Sequence, residues 1–112
     1  MKFQSNTQSI HKFHLPLVDY TELELPLGAI ILKVEMQNEM LYIWALVVPS
    51  IQAKITRKFR IFGTGQTITE TKDQISRCKY WNTVQEDQGR FIWHIFEQDC
   101  PEEMNSVRIV GP

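Results

Sequence analysis

The chain of 112 residues has little cysteine, no long hydrophobic run and almost no net charge. Its two cysteines, Cys78 and Cys100, form no CxxC pair, and two thiols alone do not complete a zinc site. The longest apolar run, residues 43–48, is far shorter than the roughly 20 residues that cross a bilayer as a helix. No apolar run follows Lys2, so no secretory signal is predicted. We therefore expect no membrane partner, and a reducing cytosolic setting with free thiols.

The formal net charge of −1 provides no overall attraction to nucleic acid, which we do not expect as a partner. The charge is nevertheless uneven along the chain. Basic residues outnumber acidic ones between residues 54 and 96, and acidic residues predominate on both sides of that segment. This basic middle could form a surface for an anionic ligand. The alternative is a set of solvated strand faces whose charges neutralise each other in the fold.

Helical periodicity is also missing, and alternation of apolar and polar residues takes its place. The clearest case is residues 30–37, where Ile30, Leu32, Val34 and Met36 are predicted to share one face. Asn38 and Glu39 then form a two-residue hairpin loop. Residues 40–48 are apolar on both faces, which is typical of a central strand or of an interface.

About seven such segments, separated by turn signals, predict an all-β fold: a single small antiparallel sandwich or barrel. We divide the chain into a flexible N-terminus at residues 1–8, a β domain at 9–97 and an acidic tail at 98–112. Residues 107–110 of the tail could add a short edge strand. Residues 64–76 are predicted to be a long loop, and a strand is expected over residues 77–85.

The basic segment contains a glycine turn that directly follows a predicted strand. Backbone amides in such a turn can point at an anion, and arginine provides bidentate contacts. No helix is predicted to follow, so this is not a dinucleotide-binding fingerprint, and a plain tight turn is the alternative. The candidate ligand-binding residues are Arg57, Lys58, Arg60, Gly63, Thr64, Gly65, Gln66 and Arg77.

The sequence contains more aromatic residues than one face of a small core can hold. Strand alternation divides them between faces, so they cannot all form one platform for stacking bases. Surplus aromatics on an outer face suit a protein–protein contact, and we expect a homo-oligomer. The candidate interface residues are Tyr42, Trp44, Trp81 and His94.

The sequence contains no recognisable catalytic set, and we predict no enzyme, no metal and no cofactor. His94 is more typical of a core or interface histidine than of a general base, because a base needs a positioned partner. Cys78 lies between Arg77 and Lys79, neighbours that would lower a thiol pKa and favour the thiolate. A small enzyme that uses His94 or Cys78 is the weakest of three functional hypotheses.

Four blocks of sequence together resemble a family of small uncharacterised proteins found in bacteriophage genomes and prophages. The blocks are ELPLGAIILKV at residues 24–34, LYIWALV at 41–47, FRIFGTG at 59–65 and FIWHIFE at 91–97. The family commonly continues its Gly-Thr-Gly with His-Pro, where this chain has Gln66 and Thr67. The resemblance implies a phage origin and action in the host cytoplasm, and it implies no established activity.

These observations favour a non-enzymatic binding protein for counter-defence or host takeover. Its partner would be a host protein or an anionic, nucleotide-like small molecule held at the basic strand and glycine turn. The alternative is an oligomeric structural or assembly protein of the phage, associated through the apolar strand.

Overall fold

The computed structural model describes residues 7–100 and contains seven strands and one short helix. All strand pairings are antiparallel, which confirms the predicted all-β class. One sheet has the order β1-β4-β3 and the other has the order β2-β5-β7-β6. The elements are β1 (Ser9–His14), β2 (Tyr20–Pro26), β3 (Ile30–Gln37), β4 (Met40–Val47), β5 (Lys54–Gly63), α1 (Lys72–Ser76), β6 (Lys79–Glu86) and β7 (Phe91–Gln98).

The core lies between the two sheets. Strand β4 contributes Leu41, Ile43, Ala45 and Val47, the alternate residues that the two-sided apolar pattern places on one face, and all four are buried. The opposite sheet contributes large buried side chains such as Phe59. Each fully buried aliphatic or aromatic side chain of this kind stabilises the fold by about 1.5–3 kcal/mol, so this layer holds the two sheets together.

Strand β3 does not alternate regularly, and the prediction that Leu32 shares the inner face was wrong. The register of β3 against β4 shifts between Ile31 and Lys33, which is the signature of a β-bulge. The inserted residue moves the pattern by one position, so Ile31 and Val34 are buried while Leu32 is exposed. A one-residue shift reverses the face of every later side chain.

The two sheets come close together where β3 lies beside β6. The Asn82 side-chain amide donates a hydrogen bond to the Val34 carbonyl at 2.7 Å, and thus satisfies a backbone acceptor on the edge of β3. Strand β6 also carries a register shift, between Tyr80 and Asn82. This bulge turns Asn82 toward the neighbouring sheet, so one side of the sandwich is partly closed in the manner of a barrel.

The predicted hairpin loop is confirmed, and both of its residues have left-handed backbone angles. Asn38 has φ of 53° and Glu39 has φ of 67°, as a type I′ turn requires. The Glu39 carboxylate also accepts a hydrogen bond from the backbone N–H of Asp87 in the β6–β7 turn, at 3.4 Å. The two hairpin turns are therefore linked at the same end of the molecule.

The prediction of an uninterrupted loop over residues 64–76 was wrong at its C-terminal end, where α1 forms. Thr71 caps this helix: its hydroxyl accepts from the Gln74 N–H, while the Gln74 side chain accepts from the Thr71 N–H. Arg77 is consequently the C-cap of α1, and β6 begins at Lys79. Residues 1–6 of the predicted flexible N-terminus (1–8) lie outside the described residues, as do residues 101–112 of the predicted acidic tail (98–112), which include the predicted edge strand at 107–110.

Candidate ligand cleft

A chain segment, residues 64–77, covers part of the outer face of the β2-β5-β7-β6 sheet. Beneath it lies Phe62, which is buried and contacts Phe96 edge-on with ring centroids 5.8 Å apart. The Arg60 guanidinium lies over the Phe62 ring, 4.8 Å from its centroid. The 64–77 segment is therefore packed against apolar and cationic side chains of the strands below it.

A cleft of about 200 Å³ opens where this segment meets the ends of β5 and β7. Its lining is mainly polar and contains cations, carboxylates and amides. The lining residues are Arg60, Glu70, Gln74, Ile75, Arg77, Cys78, Gln98 and Asp99.

Glu70 and Arg60 form an ion pair in the wall of the cleft, and both side chains are largely buried. The Arg60 Nε atom also donates to the Asp19 carbonyl, at 3.1 Å, which fixes the guanidinium in place. The second Glu70 oxygen, Oε1, is buried and has no hydrogen-bond partner among the described residues. An unsatisfied buried carboxylate oxygen is costly, and since solvent does not reach this atom, a bound molecule could donate to it only if the Glu70 side chain turned toward the cleft.

Arg77 lies at the rim of the cleft and is 64% exposed. Its Nη1 atom contacts the Asp73 carboxylate at 2.7 Å, one helical turn earlier. Exposed pairs of this kind contribute about 0–1 kcal/mol, so an incoming anion can compete with Asp73 for the guanidinium. Arg77 is thus the most accessible cation of the cleft.

Cys78 lines the cleft with its pKa raised above the ordinary thiol value. Burial is the main cause, and the nearby Asp99 carboxylate adds to it. The Arg60 and Arg77 guanidinium groups act in the opposite direction, with smaller effect. The expectation that basic neighbours favour the thiolate at Cys78 was therefore wrong, because desolvation outweighs them.

The glycine turn lies outside the cleft and is fixed by its own hydrogen bonds. The Gly63 N–H donates to the Gln66 side chain at 2.8 Å, and the Gln66 N–H donates to the Gly63 carbonyl at 3.0 Å. Gly65 has φ of +86°, which favours glycine. Since the Gly63 amide is already used within the turn, it does not point at an external anion as the sequence suggested.

His94 attaches the turn to the sheet. Its Nε2 atom lies 2.7 Å from the Thr64 hydroxyl, and its Nδ1 atom lies 2.9 Å from the Thr83 hydroxyl. The Thr83 hydroxyl in turn lies 2.5 Å from the Tyr80 hydroxyl. Acyl-transfer triads pair a hydroxyl with a histidine that a carboxylate orients, whereas both nitrogens of His94 face hydroxyl groups. The geometry is that of a structural link.

Arg57 is the largest departure from the predicted ligand set. It is only 1% exposed, and its guanidinium forms a bidentate ion pair with Glu97 in the core. The Trp81 indole N–H donates to the same carboxylate at 3.0 Å, and Arg57 Nη1 donates to the Ala29 carbonyl at 3.2 Å. Arg57 is therefore removed from the candidate surface, because strand alternation places it on the inner face.

Of the eight predicted ligand residues, the cleft brings together two, Arg60 and Arg77. Lys58 lies on the same outer sheet face, opposite Glu22 on one neighbouring strand and Gln98 on the other, and it does not line the cleft. The four residues of the glycine turn form the separate structure described above.

The structure also places the predicted interface residues on different surfaces. Tyr42 and Trp44 lie together on the outer face of the β1-β4-β3 sheet, with ring centroids 6.0 Å apart. Trp81 packs against the core cluster, and His94 lies on the outer face of the other sheet. Only the first two can belong to one surface.

Sequence reasoning missed Glu70, Gln74, Gln98 and Asp99 as cleft residues. They come from the polar segment and from the end of the last strand, which the topology alone brings together. The capping pattern that begins at Thr71 was the available signal, because a helix there would have placed Gln74 and Arg77 near each other.

Neither a metal centre nor a membrane span is found in the described part of the chain. No group of three or more histidine, cysteine, aspartate or glutamate residues within 7–100 could hold a metal ion. Within the same residues, no helix has the length and apolar character to cross a membrane.

Comparison with known proteins gives a family and no activity. No curated protein and no solved structure matches the chain significantly. One family model, described as a domain of unknown function (DUF7352), matches residues 6–106 and so spans nearly the whole chain. The chain therefore belongs to the DUF7352 family.

Proposed function

We propose that the protein is a non-enzymatic binding protein that holds a small nucleotide-like molecule in the cleft beside Arg77. The observation that carries this proposal is the buried Glu70 Oε1 atom, which lacks a hydrogen-bond partner among residues 7–100 in the wall of an open cleft. If the Glu70 side chain turns toward the cleft, an N–H group of a bound base satisfies that oxygen and removes a penalty of about 1–3 kcal/mol.

The cations of the cleft support the anionic half of the ligand. Arg60 is fixed below by Asp19 and Glu70, while Arg77 at the rim is held only by the exposed Asp73. A phosphate would bind the Arg77 guanidinium in the bidentate manner that this side chain favours. Nucleotides combine such an anion with N–H donors. The cleft volume of about 200 Å³ is below the roughly 300–1,000 Å³ of most ligand pockets, so the cleft would hold one end of the nucleotide while the rest stays in solvent.

The test is isothermal titration calorimetry with the four ribonucleoside 5′-monophosphates and with inorganic phosphate. We expect saturable binding of at least one nucleotide, and loss of binding in Arg77→Glu. The matched control is Arg90→Glu, because Arg90 is also exposed, at 74%, and pairs with an aspartate on its own turn, Asp87, far from the cleft. This control should bind like the wild type.

A second variant tests the part of the cleft that would bind the base of the nucleotide. Glu70→Gln keeps the size of the side chain but removes its charge and half of its acceptor capacity, so we expect weaker nucleotide binding with circular dichroism unchanged. The proposal fails if no nucleotide binds the wild type. It also fails if Arg77→Glu and Arg90→Glu bind equally well.

The biological setting proposed for this binding is counter-defence or host takeover in the cytoplasm of a phage-infected cell. It rests on the resemblance to bacteriophage and prophage proteins. Plaque counts on bacteria that express the wild type or Arg77→Glu would test it, with a higher count expected for the wild type. Equal counts would contradict a role for the cleft in infection, and a host protein retained by both variants would favour inhibition by direct contact.

A further inference from the structure

The outer face of the β1-β4-β3 sheet carries apolar side chains, half-buried on β4 and exposed beside it, that residues 7–100 cover only in part. Tyr42, Trp44 and Leu46 occupy the outward positions of β4, and Ile10 and Met40 beside them are exposed. Part of the outer face of the other sheet is covered by the 64–77 segment, which the Arg60–Glu70 ion pair joins to β5. An outer sheet face that meets water is normally polar, so this one is suited to contact another molecule.

The strand register arranges the charges of this face in two rows across the sheet. Lys12 on β1 and Lys33 on β3 both lie opposite Trp44. His14 on β1 and Glu35 on β3 both lie opposite Tyr42, one outward position further along. One row therefore contains Trp44 between two lysines, and the next contains Tyr42 between a histidine and a glutamate.

The lysines are in contact with the aromatic rings. The Lys12 ammonium lies 4.4 Å from the Tyr42 ring centroid, and the Lys33 ammonium lies 5.6 Å from the Trp44 ring centroid. Lys12 also donates to the Gln37 side chain at 2.9 Å, across the Tyr42 ring. The charged groups are thus held close above the apolar surface, where a partner would meet them.

We propose that this face binds a second copy of the same chain, through a two-fold axis that runs across the strands between the two rows. Such an axis places each row opposite the other row of the second copy. Lys33 then faces Glu35 of the second copy, twice by symmetry. Trp44 faces Tyr42, and Lys12 faces His14. The surface is self-complementary, as a two-fold interface must be.

The direction of the axis follows from the charges. A two-fold axis parallel to the strands would place β1 over β3 of the second copy, with Lys12 facing Lys33 in one row and His14 facing Glu35 in the other. Like charges in direct opposition destabilise a contact, so this arrangement is disfavoured. Packed sheets align within about 30° of each other, which keeps the proposed opposition of Lys33 and Glu35 within reach.

The size of the face indicates a weak dimer. Three strands about 4.8 Å apart and eight residues long present roughly 400 Å² per copy before side-chain relief is counted. The roughly 800 Å² that the two copies bury together is below the about 1,200 Å² at which stable specific interfaces begin, and we therefore expect weak association that depends visibly on protein concentration.

Sedimentation velocity over a wide concentration range tests the proposal through a charge exchange. In Lys33→Glu, the new glutamate faces Glu35 of the second copy in each half of the interface. The dimer dissociation constant should therefore rise at least about tenfold. Glu35→Lys should have a similar effect. The double variant Lys33→Glu/Glu35→Lys restores the opposite charges and should return the constant to within about threefold of wild type.

Lys72→Glu on α1 is the control, because this exposed lysine lies on the opposite side of the molecule and should leave the dimer unchanged. Trp44→Glu should give a monomer with wild-type circular dichroism. A wild type that stays monomeric at high concentration would overturn the proposal. A dimer that Lys33→Glu leaves intact, or that the double variant fails to restore, would overturn the proposed axis.

Discussion

The Arg57 guanidinium on β5 and the Glu97 carboxylate on β7 form a buried, bidentate ion pair. Both side chains lie on the inner face of the same sheet, in the core that separates the two sheets. Their side chains are 1% and 0% exposed, and Arg57 Nη2 lies 2.9 Å from Glu97 Oε1. The Arg57 hydrogen bond to the Ala29 carbonyl, which precedes β3, connects the pair to the opposite sheet. With Trp81 on the same carboxylate, most polar atoms of the cluster have partners, as burial requires.

Arg57→Met should lower the free energy of unfolding by about 3–5 kcal/mol, because it leaves the Glu97 carboxylate buried and without its countercharge. The double variant Arg57→Met/Glu97→Leu should recover much of that loss, since a well-packed apolar pair can replace a buried ion pair. Urea unfolding followed by tryptophan fluorescence measures both. Arg77→Met, which breaks an exposed pair, is the control and should change stability by less than about 0.5 kcal/mol. Equal losses in Arg57→Met and the control would contradict this role.

The raised pKa of the Cys78 thiol makes a prediction about its reactivity. Alkylation requires the thiolate, so at neutral pH Cys78 should react more slowly than an exposed cysteine in a peptide, and its rate should rise only at higher pH. Asp99→Asn removes a carboxylate that raises this pKa and should shift the rate profile to lower pH. The measurement is the pH dependence of iodoacetamide labelling in a Cys100→Ala background. An unchanged pH–rate profile in Asp99→Asn would show that the Asp99 carboxylate has no influence on the Cys78 thiol.

The link between Thr64 and His94 should control the motion of the glycine turn. Thr64→Val removes the hydroxyl that lies 2.7 Å from His94 Nε2 while keeping the shape of the side chain. Loss of one hydrogen bond of about 1 kcal/mol should increase amide exchange at residues 63–66 by roughly fivefold. Hydrogen-exchange NMR measures this, and Thr69→Val in the same segment serves as the control. Unchanged exchange in Thr64→Val would mean that the Gln66 contacts alone hold the turn.

The all-β fold was predictable from the sequence because strand alternation and turn residues are local signals. Asn38 and Glu39 show this, since their position between two apolar runs determined the hairpin. Leu32 shows the limit: a single inserted residue reverses the alternation, and nothing local marks where the bulge falls. The inner position of Arg57 follows from alternation with Phe59, but its charge favoured a surface interpretation until its partner Glu97, forty residues later, was in place.

The candidate cleft was less predictable than the fold. Arg60 and Arg77 were identified from their charge, but Glu70 and Asp99 come to the same cleft only through the packing of the 64–77 segment on the sheet. The glycine turn was the most conspicuous sequence feature. The structure shows the Gly63 and Gln66 amides used within the turn and the Thr64 amide bonded to the Ile92 carbonyl. A glycine pair indicates unusual backbone angles, and it does not by itself reveal whether the amides remain available to a ligand.

Chemical-shift mapping of the ¹⁵N-labelled protein with each ribonucleoside 5′-monophosphate tests the proposed ligand site most directly. We expect the backbone amide signals of Arg60, Glu70, Arg77 and Gln98, and the side-chain N–H signals of the arginines and Gln98, to shift in a saturable way, and Arg77→Glu to abolish the shifts. Shifts confined to other parts of the molecule, or none at all with any of the nucleotides, would contradict it.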